Sequence, residues 1–302
     1  MDLYKTRAEL HQIPELGRCE YKTKQYIVDF VKNLNCQIIE VNSTGVILVF
    51  NVHKLHTICF RADMDGLPIQ EETGLSFSSK HPGLMHACGH DGHMTMLLGF
   101  ANWASNHLSE LENNVVCLFQ PSEEDNAGAN DILQSGILDE LKIERIFGMH
   151  IWPNLEENQL FTMPKGMLAT SGEVDIHIYG KSCHAANRNE GIDALLIATK
   201  LINQFYEIAD EIKEPHLISF GKLNAGTARN AVAKEAYIQA TMRAFDDMTF
   251  LKMKERLSNL IQRLEQEFKA RIELIINAAY PSVLNNEAMV YEYQDILNYK
   301  IL

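Results

Sequence analysis

Between Glu173 and Ile276 the apolar residues fall into the order strand, helix, strand, strand, helix, strand, which few architectures accommodate. Glu173–Tyr179 alternates, with Val174, Ile176 and Ile178 on one face, as a half-buried strand does. Ile192, Leu195, Leu196, Thr199, Ile202 and Phe205 then recur with the period of an amphipathic helix. His216–Leu223 and Ala236–Ala244 read as strands, and Leu257, Leu260, Ile261, Leu264 and Phe268 mark one face of a second helix. Arg271–Ile276 closes the series as a strand. The order predicts a ferredoxin-like α+β sandwich over 169–276, inserted into or appended to another domain.

The preceding residues have a different texture. Tyr21, Ile27, Phe30, Val31 and Leu34 predict a helix within 20–34, and Thr95–His107 reads as another. Val46–Phe50, Thr57–Phe60, Val115–Phe119 and Ile143–Met149 are of strand length and rich in β-branched or aromatic residues. Alternating strands and helices predict an α/β domain, a mixed sheet covered by helices. Its expected extent is 1–168 and 277–302, the last part reading as one loop and one helix.

With 40 acidic against 27 basic residues the formal charge is -13, and no dense Lys/Arg cluster is present to neutralise a run of phosphates. Nucleic acid is not an expected partner. The opening MDLYKTRAEL lacks the basic and apolar segments of a signal peptide, and no apolar run approaches the roughly 18 residues of a membrane span, so the cytoplasm is expected. Cys19, Cys36, Cys59, Cys88, Cys117 and Cys183 form no CxxC pair, which argues against a disulfide scaffold or a zinc ribbon; most are expected to be small buried groups.

Three of the early strands end in residues able to bind metal or move protons. Thr57–Phe60 is followed by Arg61-Ala62-Asp63-Met64-Asp65, Val115–Phe119 by Gln120-Pro121-Ser122-Glu123-Glu124, and Ile143–Met149 by His150. Carboxyl ends of strands line the ligand crevice of open α/β sheets, so these segments can converge. A fourth element, Met85-His86-Ala87-Cys88-Gly89-His90-Asp91-Gly92-His93, precedes a helix. Mixed His, Glu and Cys ligands with spare carboxylates suit a catalytic zinc-type site better than a closed structural one. Adjacent Glu123 and Glu124 fit a division in which one carboxylate holds metal and its neighbour handles protons. His86 and His90 have the i, i+4 spacing of a zincin helix, but Ala-Cys-Gly between them supplies no Glu and disfavours a helix. His53, His56, His107, His177 and His216 read as ordinary surface or hydrogen-bonded histidines, and Glu156-Glu157 as a solvated face. No GxSxG, GxxxxGK[ST] or GxGxxG pattern is present.

These motifs resemble the cocatalytic metallopeptidases and amidohydrolases that include aminoacylase, hippurate hydrolase, auxin-conjugate hydrolase and N-acetyldiaminopimelate deacetylase. The resemblance runs through Arg7-Ala8-Glu9-Leu10-His11-Gln12-Ile13-Pro14-Glu15, Arg61-Ala62-Asp63-Met64-Asp65-Gly66-Leu67-Pro68, Met85 to His93, Gln120 to Glu124, Gly148-Met149-His150 and His184-Ala185-Ala186. Within that family RAELHQIPELG and DGLPIQEETGLSFSSKHPGLMHACGHDGHM are most similar to the deacetylases of N-acetyldiaminopimelate in lysine synthesis.

The resemblance implies metal ligands at Cys88, His90, Glu124 and His150, a general base at Glu123 and a supporting acid at Asp63, with Asp65 as its substitute. It implies two divalent ions (Zn, Mn or Co), a water attacking the acyl carbonyl, and a small N-acyl amino acid as substrate. His184 would contact substrate on domain closure or from a partner subunit, Asn230 and Arg243 would grip its α-carboxylate, and the sandwich would serve as a lid and homodimerisation domain. Asp125-Asn126-Ala127-Gly128 after the Glu pair and Ser182-Cys183 before His184 depart from the family pattern, and bear on substrate preference. Relatives are expected to continue beyond the last residue here and to carry a further histidine ligand there; none of the 12 histidines lies past His216. The alternatives are a dipeptidase or other acyl amino acid hydrolase of the same family, and a truncated, inactive metal-binding remnant.

Overall fold

Val46, Leu48 and Phe50 turn to one face of a sheet and Ile47 and Val49 to the other, and all five are buried. A continuous apolar run of this kind belongs to a strand covered on both sides. The computed structural model describes residues 1–125, 127–278, 280–297 and 300–301, and the chain divides into two compact units, Met1–Leu155 and Glu156–Leu302.

The first unit contains α1 (Leu3–His11), α2 (Tyr21–Val31), β1 (Gln37–Val41), β2 (Gly45–Phe50), β3 (Thr57–Asp63), α3 (His90–Asn106), β4 (Asn114–Gln120), α4 (Gly128–Gln134), α5 (Ile137–Glu140) and β5 (Ile143–Gly148). Its sheet runs β1-β2-β4-β3-β5. β1 pairs β2 and β2 pairs β4 antiparallel, whereas β3 is parallel to both β4 and β5. Leu10, Ile27, Val31, Met94, Leu98 and Ala101 from α1, α2 and α3 close one face, and Ile132 from α4 closes the other with Ile137 and Leu138. The expected α/β class and mixed, helix-covered sheet are therefore observed. Parallel pairing also places the ends of β3, β4 and β5, at Asp63, Gln120 and Gly148, along one edge.

Two local features differ from the sequence reading. β1 was not foreseen, because Gln37–Val41 mixes polar and apolar residues and gains strand character by pairing across Asn42 and Ser43, both at positive φ (48° and 65°). Helix α3 starts at His90, five residues before the expected Thr95, because Gly89 at φ 84° makes the turn into it. The first turn of α3 is thus the His/Asp motif itself.

The second unit contains β6 (Phe161–Thr162), β7 (Lys165–Leu168), β8 (Thr170–Tyr179), α6 (Ala194–Asp210), β9 (His216–Ala225), β10 (Glu235–Ala244), α7 (Asp247–Phe268), β11 (Arg271–Ala278), β12 (Val283–Asn285), α8 (Glu287–Leu297) and β13 (Lys300–Ile301). Its main sheet, β11-β8-β10-β9, is antiparallel throughout, the arrangement of a split βαβ sandwich. Val174, Ile176, Ile178, Ile197, Leu201, Phe205, Leu257, Leu260 and Leu264 share one core. Asp193 caps α6 by accepting from the Leu195 and Leu196 N–H groups, and Asp246 caps α7 by accepting from Thr249 N–H.

The sequence reading assigns 156–168 and 277–302 to the first domain. In the structure these segments fall in the second unit, where β7 pairs antiparallel with β12 and β6 pairs parallel with β13. The loop and helix expected after 276 are joined by the short strands β12 and β13. Of the cysteines, Cys59 and Cys117 are buried as expected; Cys19 is exposed and Cys36, Cys88 and Cys183 are half-buried, so burial as the general rule is corrected. Among the described residues no helix is long and apolar enough to cross a membrane.

Candidate metal centre

His90 and the Glu123-Glu124 pair sit directly after residues at positive φ. His90 opens α3 directly after Gly89. Glu123 and Glu124 follow Ser122, which is held at φ 56°. The Ser122 N–H donates to Glu20 Oε1 at 2.7 Å, while Thr44 Oγ1 donates to Glu20 Oε2 at 2.7 Å. Ser122 Oγ donates to the Asp125 carbonyl at 2.7 Å. Gly128 permits the tight return of this loop, since a Cβ there would lie 2.0 Å from the Pro121 carbonyl oxygen. Asn126, part of the expected departure from the family pattern, lies outside the described residues.

The loops bring together Cys88, His90 and His150, and also His90, Glu123 and Glu124, with the ligand atoms of each set within 4.8 Å of one another. Cys88 Sγ is 3.5 Å from His150 Nε2. His90 Nε2 is 3.7 Å from Glu124 Oε1, 3.9 Å from Glu123 Oε2 and 3.6 Å from Asp63 Oδ2. His90 Nδ1–H donates to the Asp65 carbonyl at 2.8 Å, and His150 Nδ1–H to the Ile151 carbonyl at 2.7 Å. Both rings are therefore oriented with Nε2 turned to the cluster, the orientation a metal-binding imidazole needs.

The electrostatics match this donor set. Burial would lower the His90 pKa, but hydrogen bonding to Asp65 and Cys88 and the charges of Asp63 and Asp65 hold it up to about 11. Hydrogen bonds from His150 and His90 push the Cys88 thiol down toward thiolate, and the same Cys88 contact raises His150. Burial, then the charge of Glu124, raises Glu123. Burial would raise Asp63, yet the His93 hydrogen bond and the charges of Arg61, His90 and His93 keep it well below the usual carboxylate range. His90 Nε2 and Glu124 Oε1 are buried without a hydrogen-bond partner. Unpaired donor atoms facing each other within surplus negative charge fit a divalent cation, with Cys88, His90, Glu124 and His150 as its holders.

Behind this cluster lies a network that sequence reasoning missed. Arg7 Nε and His11 Nδ1 contact Asp91 Oδ2 at 3.0 and 2.9 Å, and His11 Nε2 lies 3.3 Å from Glu71 Oε1. Arg7 and His11 are four apart on α1, a spacing that marks one helix face, and Asp91 neighbours a proposed ligand. Asp65 is also placed here, its Oδ2 accepting from Glu124 N–H at 2.9 Å. His86 is buried, joins none of the ligand groups, and is pushed down to about 4 by burial.

The remaining expected site residues lie in the second unit. His184 and Asn230 are brought together: the Ala185 N–H donates to the Asn230 carbonyl at 3.0 Å, and His184 bridges to Ala231. His184 is exposed, and its Nδ1 accepts from Ala186 N–H at 3.2 Å, so the ring proton is at Nε2. Arg243, also exposed, stands near the other end of β10, on the order of 27 Å of strand from Glu235. His184 and Asn230 thus form a pair that Arg243 does not join.

Residues 59–299 match the family described as Peptidase family M20/M25/M40. The chain is 37% identical to an N-acetyldiaminopimelate deacetylase of Bacillus cytotoxicus, over 96% of this chain and 78% of that protein. It is 34% identical to the enzyme of the same name from Priestia megaterium, over 97% and 80% of the two lengths. Among solved structures, a dinuclear metal-binding peptidase of the M20 family from Bacillus subtilis superposes with a TM-score of 0.84 at 30% identity, covering 99% of this chain and 80% of that one.

Proposed function

Because the chain belongs to peptidase family M20/M25/M40 and is a hydrolase acting on amides, we propose that it is a metal-dependent deacylase of N-acyl amino acids, with N-acetyl-LL-2,6-diaminopimelate as its substrate. The products are LL-diaminopimelate and acetate, formed in the cytoplasm during lysine synthesis. The observation that supports this most is the convergence of Cys88, His90, His150 and the Glu123-Glu124 pair on one point of the first unit. The relatives named as deacetylases at 34–37% identity favour the acetylated substrate.

Cys88, His90, Glu124 and His150 would hold the cation, and the overlapping ligand groups around His90 would allow a second ion. When bound, a divalent zinc, manganese or cobalt ion lowers the pKa of a water and polarises the scissile carbonyl. Glu123 takes the proton of the attacking water; its raised pKa, from burial and the neighbouring Glu124, makes it a stronger base than an exposed carboxylate. The same carboxyl then returns that proton to the departing amine. Asp63 stays ionised, held by Arg61 and His93, and fixes the field around the site. On the second unit, the paired His184 and Asn230 carry an Nε2–H and an amide whose chemistry suits an oxyanion and a carboxylate, and Arg243, apart from that pair, carries a guanidinium suited to a carboxylate. Cys88 acts as a ligand, and no acyl-enzyme is formed.

Acetate release from N-acetyl-LL-2,6-diaminopimelate should exceed cleavage of each member of a dipeptide panel under the same metal supply. The solved relative described as a peptidase favours a dipeptidase as the second reading. Preferential cleavage of a dipeptide would select that reading.

A further inference from the structure

Three histidines, His90, His93 and His150, stand within ring contact of one another, and their hydrogen bonds divide them into two kinds. His90 and His150 each spend Nδ1–H on a main-chain carbonyl. The His90 Nε2 is left buried and unpaired, and the His150 Nε2 faces Cys88 Sγ. His93 is different. Its Nδ1 lies 2.6 Å from Asp63 Oδ1, an ionised oxygen that can only accept, so Nδ1 carries the proton. Its Nε2 lies 2.9 Å from the Ile151 amide, which can only donate, so Nε2 offers its lone pair there. Both nitrogens of a ring only 2% exposed are thus committed.

Although Asp63, His90 and His93 could form a ligand set by distance alone, a cation on His93 would have to displace one of those two bonds. The bonds continue outward. Asp63 Oδ2 accepts from Arg61 Nη1 at 2.7 Å, and Arg61 Nε donates to Gln120 Oε1 at 2.8 Å. The line Gln120, Arg61, Asp63, His93, Ile151 N–H crosses the carboxyl ends of β4 and β3 and reaches the residue after His150. These are the points from which the 121–124 loop and His150 leave the sheet.

We propose that His93 is a positioning residue and not a metal ligand: it ties the Asp63 carboxylate to the main chain that carries His150, and so sets the approach of that ligand to the centre. The inference rests on the metal-dependent reading above. Outer groups of this kind typically alter metal affinity or activity by about 10–100-fold without changing the number of ions bound.

The test compares the 302-residue wild-type chain with His93→Asn, His93→Gln and His93→Ala, measuring zinc per chain after dialysis and zinc affinity by chelator competition. Asn can keep the donor toward Asp63, and Gln can keep an acceptor near the Ile151 amide. Ala keeps neither. The expected result is wild-type stoichiometry in all three at saturating zinc. Affinity should be weakened by about 10–100-fold in Ala and partly rescued in Asn or Gln. Thermal melting of Asn and Gln close to wild type shows that the effect is not loss of the fold. Loss of zinc equivalents from Asn and Gln would make His93 a ligand and overturn the proposal, as would unchanged affinity in Ala. A wild type that binds zinc but hydrolyses no N-acyl amino acid overturns the functional reading alone, and the affinity comparison still decides His93.

Discussion

Asp65 Oδ2 accepts the main-chain N–H of Glu124 at 2.9 Å, joining the end of one loop to a proposed ligand 59 residues further along the chain. Its own carbonyl takes the His90 Nδ1–H at 2.8 Å. One residue therefore orients two of the groups assigned to the cation. Asp65→Ala should leave the Glu124 amide without an acceptor and destabilise the protein by about 1–3 kcal/mol, with lower zinc content. Asp65→Asn, which keeps a carbonyl oxygen, should lose less of both. Denaturant melts and metal analysis of the two variants check this; equal losses would mean that charge and not the hydrogen bond matters.

Glu123 and Glu124 are adjacent but placed differently: Glu124 Oε1 is buried and unpaired, whereas the Glu123 side chain is 38% exposed. Glu123→Gln should keep near-normal metal content and lose about 10²–10⁴-fold in turnover. Glu124→Gln should lower metal occupancy as well. Metal analysis beside single-turnover rates separates them, and reversed effects would exchange the two roles.

Glu20 is buried with its carboxyl between Thr44 and the Ser122 amide, and burial raises its pKa above 4.5. The fold therefore favours the protonated form: that stabilisation is present below the unfolded pKa and is lost as pH rises through the folded one. Gln can accept from Ser122 and donate to Thr44. Glu20→Gln should be at least as stable as wild type at about pH 7, with the difference closing by about pH 4. A variant clearly weaker at neutral pH, recovering on acidification, would show that the loop depends on the carboxylate charge.

Gly128→Ala would place a methyl 2.0 Å from the Pro121 carbonyl oxygen, and backbone must move to admit it. The 121–128 loop carries Glu123 and Glu124, so zinc affinity and turnover should both fall. Gly136→Ala is the control: it strains a backbone at positive φ (75°), which Gly128 does not have, but nothing lies within 4 Å of its Cβ, so it should affect stability without weakening metal binding. Equal zinc affinity in the Gly128 variant and wild type would contradict the loop's assigned part.

Much of the centre was legible because its donors are concentrated in sequence. Cys88 and His90 lie in one short motif, and Glu123, Glu124 and His150 directly follow recognisable strands. The order of the sandwich was legible for a similar reason: each element carries its own periodicity, as Val174, Ile176 and Ile178 show. What was hidden depends on partners far apart in the chain. Glu20 meets Ser122 across 102 residues and His11 meets Asp91 across 80. His93 has the composition of a ligand, and only the Ile151 amide on its second nitrogen reveals a different employment. The start of α3 was misplaced because a single left-handed glycine, Gly89, decides it.

The most direct measurement is acetate release from N-acetyl-LL-2,6-diaminopimelate by one preparation followed through three states: as loaded with zinc, manganese or cobalt, after chelation, and after the metal is returned. Turnover should disappear with the metal and return with it, because the attacking water has no serine or cysteine nucleophile to replace it. Undiminished turnover in excess chelator with no metal detected, or no release from any N-acyl amino acid by the loaded chain, would contradict the account.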